Sequence, residues 1–193
     1  MNNRSELQKV LDIEFENQMK IKRTIKNIVR MNILCIAGHE QSLIVKYKSF
    51  LRKAEYYHGN EKRIRYGFYM IKKERMGRKL KINIPIHVFD EGLEICHASG
   101  GIVVAKSAKI GKNASIHPGI TIGGNSRNGR EPGKFKAPQI GDNVAIGPGS
   151  RLLGGIKLGN NVTIGANSVL VKSIDGDNLV ITGAPGRVLR KNV

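Results

Sequence analysis

A six-residue repeat constrains this chain more than any other feature. From Val104 onward the sequence divides into VAKSAK (104–109), IGKNAS (110–115), IHPGIT (116–121), then IGDNVA (140–145), IGPGSR (146–151), LLGGIK (152–157), LGNNVT (158–163) and IGANSV (164–169). An aliphatic residue opens each unit and Gly often follows. A small or β-branched residue holds the fifth place: Ala108, Ala114, Ile120, Val144, Ser150, Ile156, Val162 and Ser168. So short a unit cannot bury its own apolar face, so its copies must stack into a solenoid. Side chains alternate along a strand, so an inward first place makes the preceding fifth place inward and the sixth place outward. Gly and Asn at the corners accept left-handed backbone angles that branched residues resist. Three units close one triangular coil, which sets residues about eighteen apart above one another. A sandwich of short strands would instead alternate with period two between turns. The fold expected is mainly β, a parallel β-helix of stacked hexads.

The front of the chain reads differently. Residues 1–31 place Leu7, Val10, Leu11, Phe15, Ile25 and Ile28 at roughly helical spacing, which predicts one or two amphipathic helices. Residues 41–58 and 61–79 are two further helical segments. The expected organisation is a basic α-helical region over 1–79 and the β-helix over 80–193, with a C-terminal tail. Lys and Arg outnumber Asp and Glu by 33 to 15, and residues 1–80 hold 19 of the bases against 8 acids. That balance suits an anionic ligand, a polyanion or an acidic surface. Nucleic acid is not expected, because no zinc spacing, basic zipper or aromatic RNA-binding motif accompanies the charge. The basic helical faces are read as solvated faces packed on the coil, with peripheral association with an acidic membrane as the alternative. Cys35 and Cys96 form no CxxC pair, which fits a reducing compartment. No apolar run approaches a membrane span and no signal pattern opens the chain, so a cytoplasmic location is expected.

Pro85 disfavours helix for the residue before it, so the coil is expected to start near Ile82. Counting back in sixes from Val104 gives Ala98, Gly92, Ile86 and Leu80 as openers. In that frame Cys96 points inward, His97 points outward from a rigid strand, and Ala98 points inward again.

The segment GLEICHASGGIVVAKSAKIGKNASIHPGITIGG (92–124) resembles the bacterial serine acetyltransferases, and resembles still more closely their capsular and exopolysaccharide-type relatives. The similarity covers roughly 80–190, and the polysaccharide type also shares a basic, Tyr-rich stretch like LRKAEYY (51–57). The resemblance implies a left-handed β-helix, a homotrimer with sites between subunits, and direct acyl transfer from acetyl-CoA to a hydroxyl with no metal. It assigns His97 as the general base. That role suits imidazole, whose unperturbed pKa of about 6.5 lets it take a hydroxyl proton near neutrality. Asp90, Glu91, Glu94 or a backbone carbonyl are the candidates for orienting it. Serine acetyltransferases carry an Asp before this His, a second Asp upstream and a further His in the following loop. Here those positions are Cys96, Ile82 and Ala137. The departures lead to the expectation of a saccharide or polysaccharide-precursor acceptor in place of L-serine.

Residues 125–138 are rich in Gly, Pro and charge and are expected to leave the coil as a loop. By the resemblance it covers the groove and brings Arg127, Arg130, Lys134 and Lys136 to an anion. The same matching assigns Gly124, Asn125, Pro148, Ala166, Val171, Lys172 and Arg190 to the coenzyme path. The tail GAPGRVLRK (183–191) matches the family's closing segment. His117 is read as a turn or groove residue. The expected function is therefore saccharide O-acetylation. The alternatives are a serine O-acetyltransferase and a non-catalytic β-helix assembly protein. A zinc hydratase ranks last, since His87, His97 and His117 form no close pair in sequence.

Overall fold

The computed structural model describes residues 3–124 and 136–191. The chain divides into two compact units that meet in sequence at Ile82 and Asn83. Among the described residues the first unit holds four helices, Arg4–Met19 (α1), Ile25–Ile36 (α2), Glu40–Gly59 (α3) and Arg63–Leu80 (α4).

Their starts are written in capping residues. Asn3 Oδ1 accepts from the Glu6 amide at 2.8 Å while its own side-chain amide donates to Glu6 Oε1 at 3.2 Å. Thr24 caps α2 through the Asn27 amide at 3.3 Å. The stripe Ile44, Tyr47, Leu51 and Ala54 of α3 is buried together with Leu7, Val10, Leu11 and Phe15 of α1. Charged side chains lie within the same stripes. Arg52, 3% exposed, donates from Nε and Nη2 to Glu14 Oε1 at 2.8 and 2.6 Å and from Nη1 to Glu55 Oε2 at 2.8 Å. Burial opposes the Arg52 charge, but the two carboxylates outweigh it and hold the guanidinium's pKa above its ordinary value.

The second unit winds through three sheets in turn. The first takes Ile82–Asn83, Ile102–Val104, Thr121–Gly123, Arg151–Leu153 and Val169–Leu170. The second takes Lys109–Ile110, Gln139–Ile140 and Lys157–Leu158. The third takes Glu94–Ile95, Ser115–Ile116, Ala145–Ile146, Thr163–Ile164, Leu179–Thr182 and Arg187–Lys191. The repeat strands pair in parallel, and the last two strands pair antiparallel. The aliphatic openers form three inward columns: Val104, Ile122, Leu152 and Leu170; Ile110, Ile140 and Leu158; Ile116, Ile146, Ile164 and Ile181. None is more than 6% exposed. The fifth-place residues are buried beside them, including Ser150 and Ser168, whose hydroxyls both donate to the Gly165 carbonyl at 2.9 and 2.7 Å.

The corners are held by a ladder of asparagines. Asn113, Asn143, Asn161 and Asn178 have φ of 55, 56, 55 and 58°, the left-handed region. Each side-chain amide donates to the next carboxamide oxygen at 3.0 Å. Beside them runs a second column. Asp142 Oδ1 accepts from the Lys112 amide, Asn160 Oδ1 from the Asp142 amide, and Asp177 Oδ1 from the Asn160 amide, at 2.6–2.8 Å.

Two features differ from the hexad count. The first coil is out of frame, because Ile95 stacks on Ile116 and Phe89 on Ile110. Phe89 and Ile95 are thus the openers in place of Ile86, Gly92 and Ala98, and Leu80 ends α4. Three extra residues enter after Cys96, and Gly100 and Gly101 (φ 105 and 82°) turn the chain back into register. The expected 125–138 loop also ends earlier. Ala137 and Pro138 are buried, and the Pro138 carbonyl accepts from the Lys109 amide at 3.0 Å, so these residues already belong to the coil.

Two substitutions test these constraints. Arg52→Ala removes the guanidinium that the buried Glu14 and Glu55 share and is expected to cost about 3–5 kcal/mol, read as a lower urea midpoint for the helical signal. Asn161→Ala loses two ladder bonds and meets the left-handed penalty, and is expected to cost about 2–4 kcal/mol. Asn161→Gly keeps the backbone angle and should cost about half as much. Equal losses for the two Asn161 variants would rule out the conformational part of this account.

Candidate active site

The out-of-frame first coil shapes the site. Cys96 donates its amide to the Ile116 carbonyl at 3.0 Å and therefore sits level with His117. Gly119 donates to the Gly101 carbonyl, and Val103 pairs with Thr121, so the chain is in register again by Gly101. His97, Ala98 and Ser99 are the three residues that make up the difference. His97 is exposed at this corner bulge, not on a rigid strand as the hexad count expects. Ala98 is buried at 5% and anchors the bulge. Room for the excursion comes from Gly100, where an added Cβ would lie 3.3 Å from Pro118 Cβ.

Cys96 does not point into the core. It is half-buried, with Sγ 3.4 Å from Ser115 Oγ and 3.4 Å from His117 Nε2. The corresponding places in the next coils are Gly147 and Gly165. Thiol, imidazole and hydroxyl therefore gather beside His97 where the repeat otherwise carries glycine. The hexad count missed this cluster, because a three-residue slip changes which residue faces which. The signal available was the pair of non-glycine residues, Cys96 and His117, each directly after an isoleucine that closes a short strand.

Of the acids weighed as partners for His97, Glu91 is engaged by Lys112 at 2.9 Å. Lys112 has its pKa raised by that hydrogen bond and the Glu91 charge. Ile82 is 4% exposed and Ala137 is 7% exposed, so both are core residues in this fold.

Of the residues expected on the coenzyme path, five fall on the two corners flanking the first sheet. Pro148 and Ala166 are exposed and stack at the corner just past the third sheet, where the Pro148 carbonyl accepts from the Asn167 amide at 2.8 Å. Gly124, Val171 and Lys172 lie at the opposite corner, just past Gly123 and Leu170. Between them the outer face presents Val103, Thr121, Arg151 and Val169, with Arg151 Nη1 3.5 Å from Thr121 Oγ1. Arg190 is on another sheet, paired with Val180 in the closing antiparallel hairpin. Asn125, Arg127, Arg130 and Lys134 lie outside the described residues, and Lys136 is exposed over Gly155. Small or flat residues at the corners and exposed Arg151 and Lys172 fit a thin polyamide arm with phosphates at its end. Among the described residues no three His, Cys, Asp or Glu side chains come together as a metal site. No helix there is long and apolar enough to cross a membrane.

Comparison with known proteins gives the same framework. Residues 137–172 match the family described as bacterial transferase hexapeptide (six repeats). A serine acetyltransferase from Staphylococcus epidermidis is 47% identical over 57 residues, which is 30% of this chain and 25% of that protein. The chain therefore matches about a quarter of the length of this curated relative. The crystal structure of serine acetyltransferase from Brucella abortus superposes with a TM-score of 0.71 at 23% identity, covering 98% of this chain and 71% of that one. A serine acetyltransferase solved in complex with CoA gives a TM-score of 0.63 at 20% identity over 96% of this chain and 71% of its own. These likenesses overturn the expected saccharide acceptor and polysaccharide role, because the matching proteins are serine acetyltransferases and not specifically capsular enzymes. The departures at Cys96, Ile82 and Ala137 were too few to carry that expectation. The chain thus matches the bacterial transferase hexapeptide repeat over 137–172 and shares its fold with the serine acetyltransferases.

Proposed function

We propose that the protein transfers the acetyl group of acetyl-CoA directly to the hydroxyl of L-serine, with His97 as general base. The observation that carries this reading is the corner bulge. It exposes one imidazole beside the sheet face flanked by Pro148 and Ala166, on a fold shared with a serine acetyltransferase solved with CoA.

His97 takes the acceptor's hydroxyl proton as the oxygen attacks the acetyl carbonyl. The carbon–sulfur bond then breaks, and the same imidazole returns the proton to the departing sulfur. The products are an O-acetyl ester and a free thiol. Pro148 and Ala166 offer backbone groups and little bulk to the pantetheine arm. Gly124, Val171 and Lys172 line the far corner, where Lys172 with Arg151 faces the phosphates. The coil is left-handed, three copies assemble with sites between neighbours, and the reaction takes place in the cytoplasm. A single outer face gives the groove one wall, which is why a neighbouring copy is needed to close it.

The acceptor end differs from an acid-based pocket. Cys96 stands where a carboxylate would meet the substrate ammonium, with His117 within 3.4 Å of its sulfur.

Release of CoA thiol with L-serine as acceptor is expected for the wild type, and His97→Ala should lower kcat by about 10²–10⁴-fold. No serine-dependent release would sink the reading, and loss of CoA binding as well would favour the assembly role. Cys96→Asp restores a carboxylate beside His97. It should lower KM for L-serine about tenfold, the worth of one charge-assisted hydrogen bond. An unchanged KM would place the ammonium elsewhere.

A further inference from the structure

The helical unit divides its charge unevenly. α1 carries Glu6, Asp12, Glu14 and Glu16, four of the eight acids of residues 1–80, against two bases. α4 carries seven bases and one acid, Glu74, which pairs with the buried Lys73 at 2.7 Å. The other six bases of α4 are all exposed and have no carboxylate on their own helix.

The same helix leaves large apolar side chains in water. Its inner side holds the buried Lys73, Gly77 and Leu80, and Tyr69 stacks there on Tyr57 of α3 at 5.4 Å. On the opposite side Ile64, Phe68 and Ile71 are 91, 51 and 62% exposed. Steps of four and three residues set them on one line along the helix. Arg75 and Arg78 continue that line, and Arg65, Lys72 and Lys79, seven residues apart, run beside it. The Lys72 ammonium lies over the Phe68 ring at 4.2 Å, so apolar and cationic groups form one surface.

That surface specifies its partner. The isoleucines call for an apolar contact and the cations for negative charge, both along a helix about 27 Å long. A second copy laid on the same face sets arginine against arginine. The acid-rich α1 of a second copy exposes no large apolar side chain. A polyanion meets the cations but leaves Ile64 and Ile71 in water. A bilayer of anionic lipids offers a continuous sheet of charge with hydrocarbon beneath it. Long Lys and Arg stems then reach the headgroups while the apolar line sits deeper. α2 exposes isoleucines too, but it carries only Lys26 and Arg30 and lacks the charge.

We propose that α4 docks the protein on an acidic lipid bilayer, lying along its surface. Ile64, Phe68 and Ile71 insert below the headgroups, and the cations around them bind lipid phosphates. The inference goes beyond the acyl-transfer reading and does not depend on it, since every residue in it belongs to the helical unit.

The test is flotation of the full chain with two kinds of vesicle, phosphatidylcholine alone and phosphatidylcholine mixed with phosphatidylglycerol. Partition onto the acidic vesicles should exceed that onto the neutral ones at least about tenfold and fall as salt is raised. Lys72→Gln with Arg75→Gln should weaken it about tenfold. Ile64→Gln with Ile71→Gln should weaken it at least about tenfold as well. Both pairs are exposed, and circular dichroism checks that the helices persist. Ile25→Gln with Ile33→Gln, on α2, should leave partition unchanged. Undiminished binding by the Ile64/Ile71 variant means adsorption by charge alone and overturns the proposal. Equal binding to both vesicles, or binding to neither, overturns it too. An equal loss from the α2 pair overturns the assignment to α4. Sedimentation without lipid adds one more outcome: a smaller assembly for the Ile64/Ile71 variant marks a contact between copies and overturns the membrane reading.

Discussion

The left-handed asparagine corner is the constraint on which the coil depends. A parallel stack needs each turn to repeat the backbone angles of the turn below, or the aliphatic columns drift apart. Asn113, Asn143, Asn161 and Asn178 take positive φ, and each is hydrogen-bonded through its side chain to the next. The ladder therefore couples the conformation of one corner to that of its neighbours. Glycine alone would allow the angle without linking the coils. The adjacent column of Asp142, Asn160 and Asp177 ties backbone amides in the same direction, so two hydrogen-bonded edges run along one corner. With that edge fixed, the inward columns meet aliphatic to aliphatic, and the largely buried interior follows.

A rigid repeat makes any departure from it informative. The bulge at His97–Ser99 adds three residues where the same corner of the later coils adds none, and positive φ at Gly100 and Gly101 brings the chain back. The result moves one imidazole off the regular surface and leaves the strands on either side undisturbed. The twelve-residue excess that separates Ile122 from Leu152 beyond one coil is the second departure. Both sit next to the first sheet, whose outer face carries the proposed coenzyme groove. A solenoid holds its walls still and builds its specificity from insertions.

Much of the coil was legible in the sequence, because the period of six is set by local stacking. Val104 to Leu170 occupy the expected columns, and Ser150 and Ser168 were legible as inward despite their hydroxyls. The first coil was not legible. Counting back from Val104 assumes no insertion, and three extra residues changed the facing of Cys96 and the openers before it. The Cys96–His117 contact depends on that slip, so no spacing rule applied before the register was known. The Glu14–Arg52–Glu55 cluster was hidden for another reason. Charged residues on an amphipathic helix are read as solvated, and only the packing of α1 on α3 shows these to be inside. The expected saccharide acceptor failed on the same kind of ground, since two missing acids and one missing histidine were read without knowing which of those positions reach the groove.

Ile82 and Ala137 bear on that last point. Both are core residues here, so they say nothing direct about what contacts an acceptor. Cys96 is different, because its half-buried sulfur stands next to His97 in the chain and against His117. The acceptor end of the site is therefore defined by one thiol–imidazole pair more than by the acids that are absent. A thiol is a weak hydrogen-bonding partner for an ammonium, whereas an imidazole can serve as donor or acceptor according to its tautomer. In the proposed reaction, recognition of a polar acceptor at this corner then rests on His117, carried by the third sheet, while His97 acts from the bulge beside it.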